Sequence, residues 1–157
     1  MSLTLSAAAT AKVEAALRRY PRPQAALLPV LQVIQAEFGH IPVEAEAWAA
    51  ERLGLPPVRV REVVTFYSLL RRRKLGRHIV QVCRNLSCTL NGAEDLVSRV
   101  AEKWGVRPGE TSADGRFSLL TVECLGNCPE APCVQVDEAD YAKVTAGTLD
   151  EILKGLD

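Results

Sequence analysis

The first 75 or so residues repeat apolar side chains with the period of an α-helix. In four segments the apolar positions recur every three or four residues, so each segment has one apolar face. Proline or glycine interrupts the pattern at Pro21 and Pro23, at residues 39–42 and at residues 54–57, which predicts helix boundaries there. The apolar positions are Val13, Ala16, Leu17 and Tyr20; Leu27, Leu31, Ile34 and Phe38; Ala45, Trp48, Ala49 and Leu53; and Val60, Val63, Val64 and Tyr67. A small antiparallel helical bundle is the expected result.

From about residue 77 the pattern changes to short apolar strands that alternate with helices. We predict strands over residues 78–83, 117–123 and 132–136, and a short fourth strand at 141–144 after a turn at 138–140. One helix follows the first strand, with a stripe formed by Ala93, Leu96, Val97, Val100, Ala101 and Trp104. A last helix has its stripe at Leu149, Ile152, Leu153 and Leu156. Two pairs with capping-box spacing predict where these helices begin, Asn91 with Glu94 and Thr148 with Glu151.

These patterns predict an α+β chain with two domains. Residues 1–76 form the N-terminal helical bundle, and residues 77–157 form an α/β domain with a mixed sheet, since the order β-α-β-β-α combines one strand–helix unit with a hairpin. A basic run, residues 71–74, lies at the junction. We interpret it as a solvated linker in preference to a docking site for an acidic surface.

Composition and charge exclude several classes of function. Lysine and arginine together number 19, as do aspartate and glutamate, so the net charge is zero and nothing favours nucleic acid as a partner. No apolar run reaches the roughly 18 residues of a membrane-spanning helix, so we expect no membrane insertion. The first residues lack the pattern of a signal peptide. We therefore expect a cytoplasmic location of bacterial type, where thiols stay reduced.

The five cysteines are the candidate chemistry. Four form two local pairs, Cys83 with Cys88 and Cys124 with Cys128, and each pair follows a predicted strand. Neighbouring strand ends can bring the two loops to one sheet edge, where four thiolates would hold an iron–sulfur cluster. Structural zinc stays open, because zinc also uses four cysteines with similar spacing. A C-x-x-C redox site is absent, and buried cysteines that act as small hydrophobes are the remaining alternative.

The other candidate residues are interpreted as structural. Cys133 lies within the apolar strand at 132–136, where a packed core thiol is favoured over a fifth ligand. His40 falls in a turn between helices and His78 at the start of a strand, so both are expected to be structural. Arg84 directly follows the first cysteine of the set. We hypothesise that it raises the reduction potential by favouring a more negative reduced cluster, with a solvent-facing arginine as the alternative.

The cysteine pattern resembles a known family. Cys83-x₄-Cys88 followed by Cys124-Leu-Gly-x-Cys128 is similar to the thioredoxin-like 2Fe–2S ferredoxins, and in particular to the 24 kDa-type subunits of respiratory complex I. Further similar segments are Leu-Pro-Val-Leu at 28–31, Phe-Gly-His-Ile-Pro at 38–42, Val-Val-Thr-Phe-Tyr at 63–67, Asn-Gly-Ala-Glu at 91–94 and Ala-Pro at 131–132. The resemblance covers residues from about 10 to 156.

The resemblance implies a thioredoxin-like second domain, one 2Fe–2S cluster instead of zinc, and Cys83, Cys88, Cys124 and Cys128 as its ligands. It implies a partner, a flavoprotein subunit that binds FMN and NADH and carries a 4Fe–4S cluster. The chain has no G-x-G-x-x-G signature, so we expect no FMN or NADH site and no catalytic residue on it. Cys133 lies outside the family's four-cysteine motif.

The expected function is therefore electron transfer within an NADH:quinone oxidoreductase, as a subunit without its own substrate site. It would exchange single electrons with the flavoprotein on the cytoplasmic side of a membrane complex. Alternatives are the equivalent subunit of an NAD-dependent formate dehydrogenase or of an NAD-linked or bifurcating hydrogenase, or a mainly structural subunit. A free-standing ferredoxin is disfavoured, because it would not need the helical bundle.

Overall fold

The computed structural model describes residues 3–157. The chain divides into two compact units between Lys74 and Leu75. None of the helices in the described part is long and apolar enough to cross a bilayer.

The first unit is helical, as predicted. Its described residues form α1 (Ala7–Arg19), α2 (Pro23–Phe38), α3 (Val43–Leu53) and α4 (Pro57–Phe66). Prolines occupy the first positions of α2 and α4, where the missing N–H group removes no helical hydrogen bond. Gly39 and Gly54 end α2 and α3 with φ values of 74° and 62°, a left-handed conformation that favours glycine.

Helix α2 forms the centre of this unit and contacts α1, α3 and α4. The apolar stripes predicted from the sequence supply the core. Its fully buried side chains include Val13, Leu27, Val30, Leu31, Ile34, Ile41, Ala45, Ala49, Val60 and Val64. Pro29 lies inside α2 without ending it.

Residues 72–74 of the basic run are exposed, as expected of a solvated segment, but the run also contacts the helical unit. The Arg71 N–H donates to Gln35 Oε1 at 2.6 Å, and its carbonyl accepts from the Ile41 N–H, also at 2.6 Å. Arg72 pairs at 3.3 Å with Glu46, a buried carboxylate that also binds Arg61. Arg71 and Arg72 therefore make structural contacts within the first unit.

The second unit alternates strands and helices. In chain order it contains β1 (His78–Cys83), α5 (Leu86–Leu90), α6 (Ala93–Trp104), β2 (Phe117–Val122), a 3₁₀ turn (Cys128–Glu130), β3 (Val134–Val136), β4 (Ala139–Tyr141) and α7 (Ala146–Lys154). The fourth strand begins earlier than predicted. Asp137 adopts a φ of 53° directly after β3, and the resulting tight turn pairs Val136 with Ala139.

The four strands form one mixed sheet in the order β2-β1-β3-β4. Strand β1 is parallel to β2 and antiparallel to β3, and β3 is antiparallel to β4. The parallel register pairs Cys83 with Val122, so β1 and β2 end at the same edge of the sheet. This edge is the place where the cysteine loops begin.

The core of the second unit lies between the sheet and its two longer helices. Leu96 and Val100 of α6 and Leu149 and Leu153 of α7 pack with buried sheet residues such as Phe117. On β1, Val80, Val82 and Cys83 are buried, whereas Gln81 is half-buried and donates to Gln135 at 2.7 Å. The predicted burial of both faces of this strand is therefore only partly correct.

Neither predicted capping box forms at its predicted residues, and α6 has no side-chain cap. Asn91 closes α5 by donating its side-chain amide to the Ser87 carbonyl at 2.7 Å, and Gly92 is the residue that precedes α6. Helix α7 begins one turn earlier than predicted, because Thr145 and Thr148 form its capping box.

Candidate iron–sulfur site

Cys83 and Cys124 are brought together by the parallel pair of strands. Cys83 is the last residue of β1, and Cys124 comes two residues after the end of β2. The Cys83 thiol contacts the Glu123 carbonyl at 3.7 Å and lies within hydrogen-bonding contact of the Cys124 side chain. Strand pairing therefore places one cysteine from each sequence pair at the same point of the sheet edge.

Cys88 is positioned by α5, a short helix that the sequence pattern did not predict. Asn85 begins this helix, and its side-chain oxygen accepts from the Leu86 N–H at 2.8 Å. The single helical turn reverses the chain after β1, so that the buried Cys88 thiol contacts Cys83. A five-residue helix has too few positions to show a helical period, although the Asn N-cap is a signal that could have located it.

Cys128 begins the 3₁₀ turn, and this turn packs against α5, the helix that carries Cys88. Like Cys124, Cys128 is exposed, whereas Cys83 and Cys88 are buried. The site therefore has two buried sulfurs from one loop and two accessible sulfurs from the other. All four predicted residues are located at this one sheet edge.

Backbone N–H groups are directed at these sulfurs. The Gly126 N–H donates to Cys124 Sγ at 3.3 Å, and the backbones of Asn85 and Leu125 hydrogen-bond the Cys83 sulfur. Gly126 adopts a φ of 81°, a left-handed conformation that favours glycine at this point of the loop. Such contacts stabilise negative charge on sulfur, which is the state of a cysteine bound to iron.

The thiols influence one another's ionisation. Burial opposes ionisation of Cys83, but the hydrogen bonds from Asn85, Leu125, Cys88 and Cys124 outweigh it and hold its pKa below the ordinary value. Burial raises the pKa of Cys88 to about 11, and the neighbouring Cys83 charge adds to this effect. Several adjacent thiolates are therefore unfavourable without a cation among them, as expected of a metal-binding set.

The arrangement bears on the choice between zinc and a cluster. Zinc would need all four thiolates around one centre, whereas a 2Fe–2S cluster distributes four thiolates over two irons. The donor set, four cysteines with N–H groups aimed at sulfur, fits the binuclear cluster.

The remaining candidates have structural contacts. His40 Nδ1 lies 3.1 Å from the Phe38 carbonyl, and His78 Nδ1 lies 2.8 Å from Asp137 Oδ2. Both histidines therefore bind neighbouring protein groups, as expected from the sequence. Cys133 is buried, as predicted for a packed thiol, but it also contacts the site, which the sequence did not indicate.

Comparison with known proteins identifies the family. The model of the family described as thioredoxin-like [2Fe-2S] ferredoxin matches residues 13–157. The E 2 subunit of NADH-quinone oxidoreductase from Rhizobium meliloti (strain 1021) is 41% identical over 143 residues, which cover 91% of this chain and 85% of the relative. The E subunit of the same enzyme from Escherichia coli (strain K12) is 36% identical over 150 residues, 96% of this chain and 90% of the relative.

The fold is also similar to a solved structure. A crystal structure of an NAD⁺-reducing [NiFe]-hydrogenase in the H₂-reduced state superposes with a TM-score of 0.69 at 19% identity. The matched region covers 82% of this chain and 21% of the hydrogenase chain. At this identity the likeness shows the fold alone.

Proposed function

Because the chain belongs to the thioredoxin-like [2Fe-2S] ferredoxin family, we propose that it is the iron–sulfur electron-transfer subunit of an NADH-quinone oxidoreductase. Its ligands in this proposal are Cys83, Cys88, Cys124 and Cys128. The cluster, when bound, supplies one-electron redox chemistry, and the protein supplies binding, orientation and electrostatics. The names of relatives that match along nearly the whole chain support the assignment to this enzyme.

One observation supports the ligand set most directly. The two cysteine loops emerge from the ends of parallel strands β1 and β2, and the Cys83 sulfur contacts cysteines of both loops. In this proposal the domain of residues 77–157 binds the cluster, because it contains all four ligands. The helical domain of residues 1–76 contains no cysteine. The proposal keeps the cytoplasmic location expected from the sequence.

The proposed partner is a flavoprotein subunit that binds FMN and NADH and carries a 4Fe–4S cluster. Electron transfer weakens steeply with distance, so the partner has to approach the cysteine loops closely. Leu86 and Leu90 of α5 are 70% and 76% exposed and flank Cys88. Large exposed apolar side chains beside a redox site are typical of a protein interface.

The ligand set is tested by single Cys→Ser variants at the four positions. Each variant should lose cluster iron or change its electron paramagnetic resonance spectrum, because a hydroxyl is a poor substitute for thiolate sulfur. Iron and acid-labile sulfide analysis of the unaltered protein should give two of each per chain. A colourless protein that contains zinc, or four variants with an unaltered iron signal, would contradict the proposal.

The partner surface is tested by the double variant Leu86→Gln, Leu90→Gln. Glutamine is a good helix former, so α5 should persist while its apolar surface is lost. Co-purification of the flavoprotein subunit should decrease although the cluster spectrum stays unchanged. Val43→Gln changes a residue that is 60% exposed on the helical unit and serves as the matched control. Equal loss of co-purification in the control would contradict the location of the surface.

The parent assembly is tested by the same co-purification from native cells. Retention of quinone oxidoreductase subunits supports the proposal. Retention of a hydrogenase or a formate dehydrogenase subunit would assign the chain to the alternative assembly.

A further inference from the structure

Cys133 is the one cysteine outside the proposed ligand set. It lies one residue before β3 and is 3% exposed. Its carbonyl accepts from the Cys83 N–H at 3.1 Å, so its backbone extends the antiparallel pairing of β1 with β3. Cys133 is therefore fixed to the strand that ends in the first ligand.

The Cys133 side chain binds the second cysteine loop. Its Sγ donates to the Asn127 carbonyl at 3.1 Å and lies 3.6 Å from the Glu130 carbonyl. The first carbonyl directly precedes the 3₁₀ turn that begins at Cys128, and the second belongs to the last residue of this turn. Asn127 directly precedes Cys128. The Cys133 thiol therefore contacts the peptide group that joins Asn127 to this proposed ligand.

Cys133 also contacts the first cysteine loop. Its backbone N–H is in hydrogen-bonding contact with the Cys88 sulfur. Its thiol is also in hydrogen-bonding contact with the Cys88 side chain. One residue therefore touches Cys88, which belongs to the first loop, and the turn that presents Cys128, which belongs to the second. No other cysteine within residues 3–157 has a side chain that donates to the backbone of both ends of that turn.

We propose that Cys133 is a positioning residue that holds the Cys128 turn against Cys88 through the hydrogen bond from its thiol to the Asn127 carbonyl. This inference rests on the proposed function, because it assumes that Cys88 and Cys128 bind the cluster. Its contacts with both ends of the turn that carries Cys128, together with its contact with Cys88, fit a residue that positions this turn.

The test compares Cys133→Ser with Cys133→Ala in the full-length, cluster-loaded protein. Serine keeps a hydrogen-bond donor and alanine removes it. With alanine, the visible colour should bleach about three- to tenfold faster in the presence of an iron chelator, and with serine the rate should stay within about twofold, as expected for one hydrogen bond of modest strength. The midpoint potential and the resonance linewidth of the reduced cluster should change with alanine and be restored with serine.

Val134→Ala is the control for general loosening of the core. Val134 is the next residue, is fully buried and begins β3. This variant should lower the melting temperature and leave the resonance spectrum unchanged. If Cys133→Ala does not fold, Cys133→Val fills the space without a donor and allows the same comparison.

The outcomes separate this inference from the proposed function. Wild-type protein without two irons per chain would overturn the proposed function. A cluster-loaded wild type with a Cys133→Ala variant of identical release rate and spectrum would overturn the positioning role alone. Complete loss of iron in both Cys133→Ala and Cys133→Ser would overturn it in favour of a ligand role. Release in Val134→Ala as fast as in Cys133→Ala would overturn it in favour of general loosening of the core.

Discussion

Arg84 and Glu123 form an ion pair between the loops that follow β1 and β2. Each residue is the immediate neighbour of a proposed ligand, Arg84 of Cys83 and Glu123 of Cys124. The Arg84 N–H also donates to the Val122 carbonyl at 2.8 Å, which extends the parallel pairing by one residue. Glu123 raises the pKa of the Arg84 guanidinium through their hydrogen bond and charge interaction, so the arginine stays cationic.

The pair changes the hypothesis that Arg84 raises the reduction potential. A nearby carboxylate opposes the field of the guanidinium, so the intact pair has little net effect on the cluster. We predict that Arg84→Ala lowers the midpoint potential, because the reduced cluster loses a favourable positive charge. Glu123→Gln should raise the potential for the opposite reason.

Redox titration followed by electron paramagnetic resonance measures both shifts. The two side chains are 60% and 74% exposed, so added salt should diminish the shifts of both single variants. The double variant Arg84→Ala, Glu123→Gln should titrate close to the wild type. Shifts of the same sign in both single variants would show that geometry, and not charge, is the cause.

A second prediction concerns Gly126, whose N–H donates to Cys124 Sγ. An added Cβ at Gly126 would meet nothing within 4 Å, but the φ of 81° is strained for alanine. Gly126→Ala should cost about 1–2 kcal/mol in the free energy of unfolding. It should also lower the midpoint potential, because the N–H contact that stabilises the reduced cluster is weakened.

Gly115 provides the matched control. Its φ is 70°, an added Cβ would also meet nothing within 4 Å, and it lies in the turn before β2. Gly115→Ala should destabilise the protein by a similar amount in chemical denaturation without a change in potential. If both variants shift the potential equally, the contact at Cys124 is not the cause.

The large elements were predictable because their signals extend over many residues. Four helices of 10 to 16 residues repeat their apolar stripe several times, and glycine or proline marks their ends. Strand β1 and the cysteine spacing likewise placed Cys83 and Cys124 at strand ends, where the structure has them. Local sequence therefore specified the framework of the site.

The contacts that complete the site were not predictable, because they depend on short elements and on register. Helix α5 has only five residues and was not predicted. Asn91 was therefore assigned to the start of α6, whereas in the structure it closes α5. Glu123 meets Arg84 only because β1 and β2 pair in a particular parallel register. Cys133 reaches the second loop for a similar reason, since a turn folds back toward β3.

A third prediction concerns Gly76, which lies directly against β2. An added Cβ would lie 2.7 Å from the Phe117 carbonyl carbon, and the Gly76 N–H donates to Ser118 Oγ at 2.8 Å. The three atoms nearest to the added Cβ all belong to the Phe117 backbone, so no flexible side-chain end can move away. Gly76→Ala should therefore destabilise the second unit by about 2 kcal/mol or more in chemical denaturation, as overpacking in a core does.

The control for this prediction is Gly147 in the first turn of α7. An added Cβ there would meet only Thr145 Oγ1, at an ordinary distance of 3.8 Å. Gly147→Ala should stabilise the protein by about 0.5 kcal/mol, because alanine has the higher helix propensity. Stability unchanged by Gly76→Ala would contradict the close approach to Phe117.

The last prediction concerns the pH dependence of the pairing between α6 and α7. Asp150 of α7 is 8% exposed, and its Oδ2 accepts from Arg99 at 2.8 Å and from Lys103 at 2.5 Å. Both donors belong to α6, so this carboxylate joins the two helices that cover the sheet. The hydrogen bonds from Arg99 and then Lys103 hold the pKa of Asp150 well below its usual range.

A carboxylate with a lowered pKa in the folded state stabilises the protein above its unfolded pKa of about 4. That contribution is lost as the pH falls through the folded pKa, where the paired Asp150 takes up a proton. Asp150→Asn should therefore reduce the free energy of unfolding at pH 7, and the difference from wild type should stay constant down to about pH 4.5 and shrink at lower pH. Urea denaturation of both proteins at matched pH values measures this difference. A difference that grows on acidification would mean that Asp150 is protonated in the native protein and that the two cations of α6 are held apart from it.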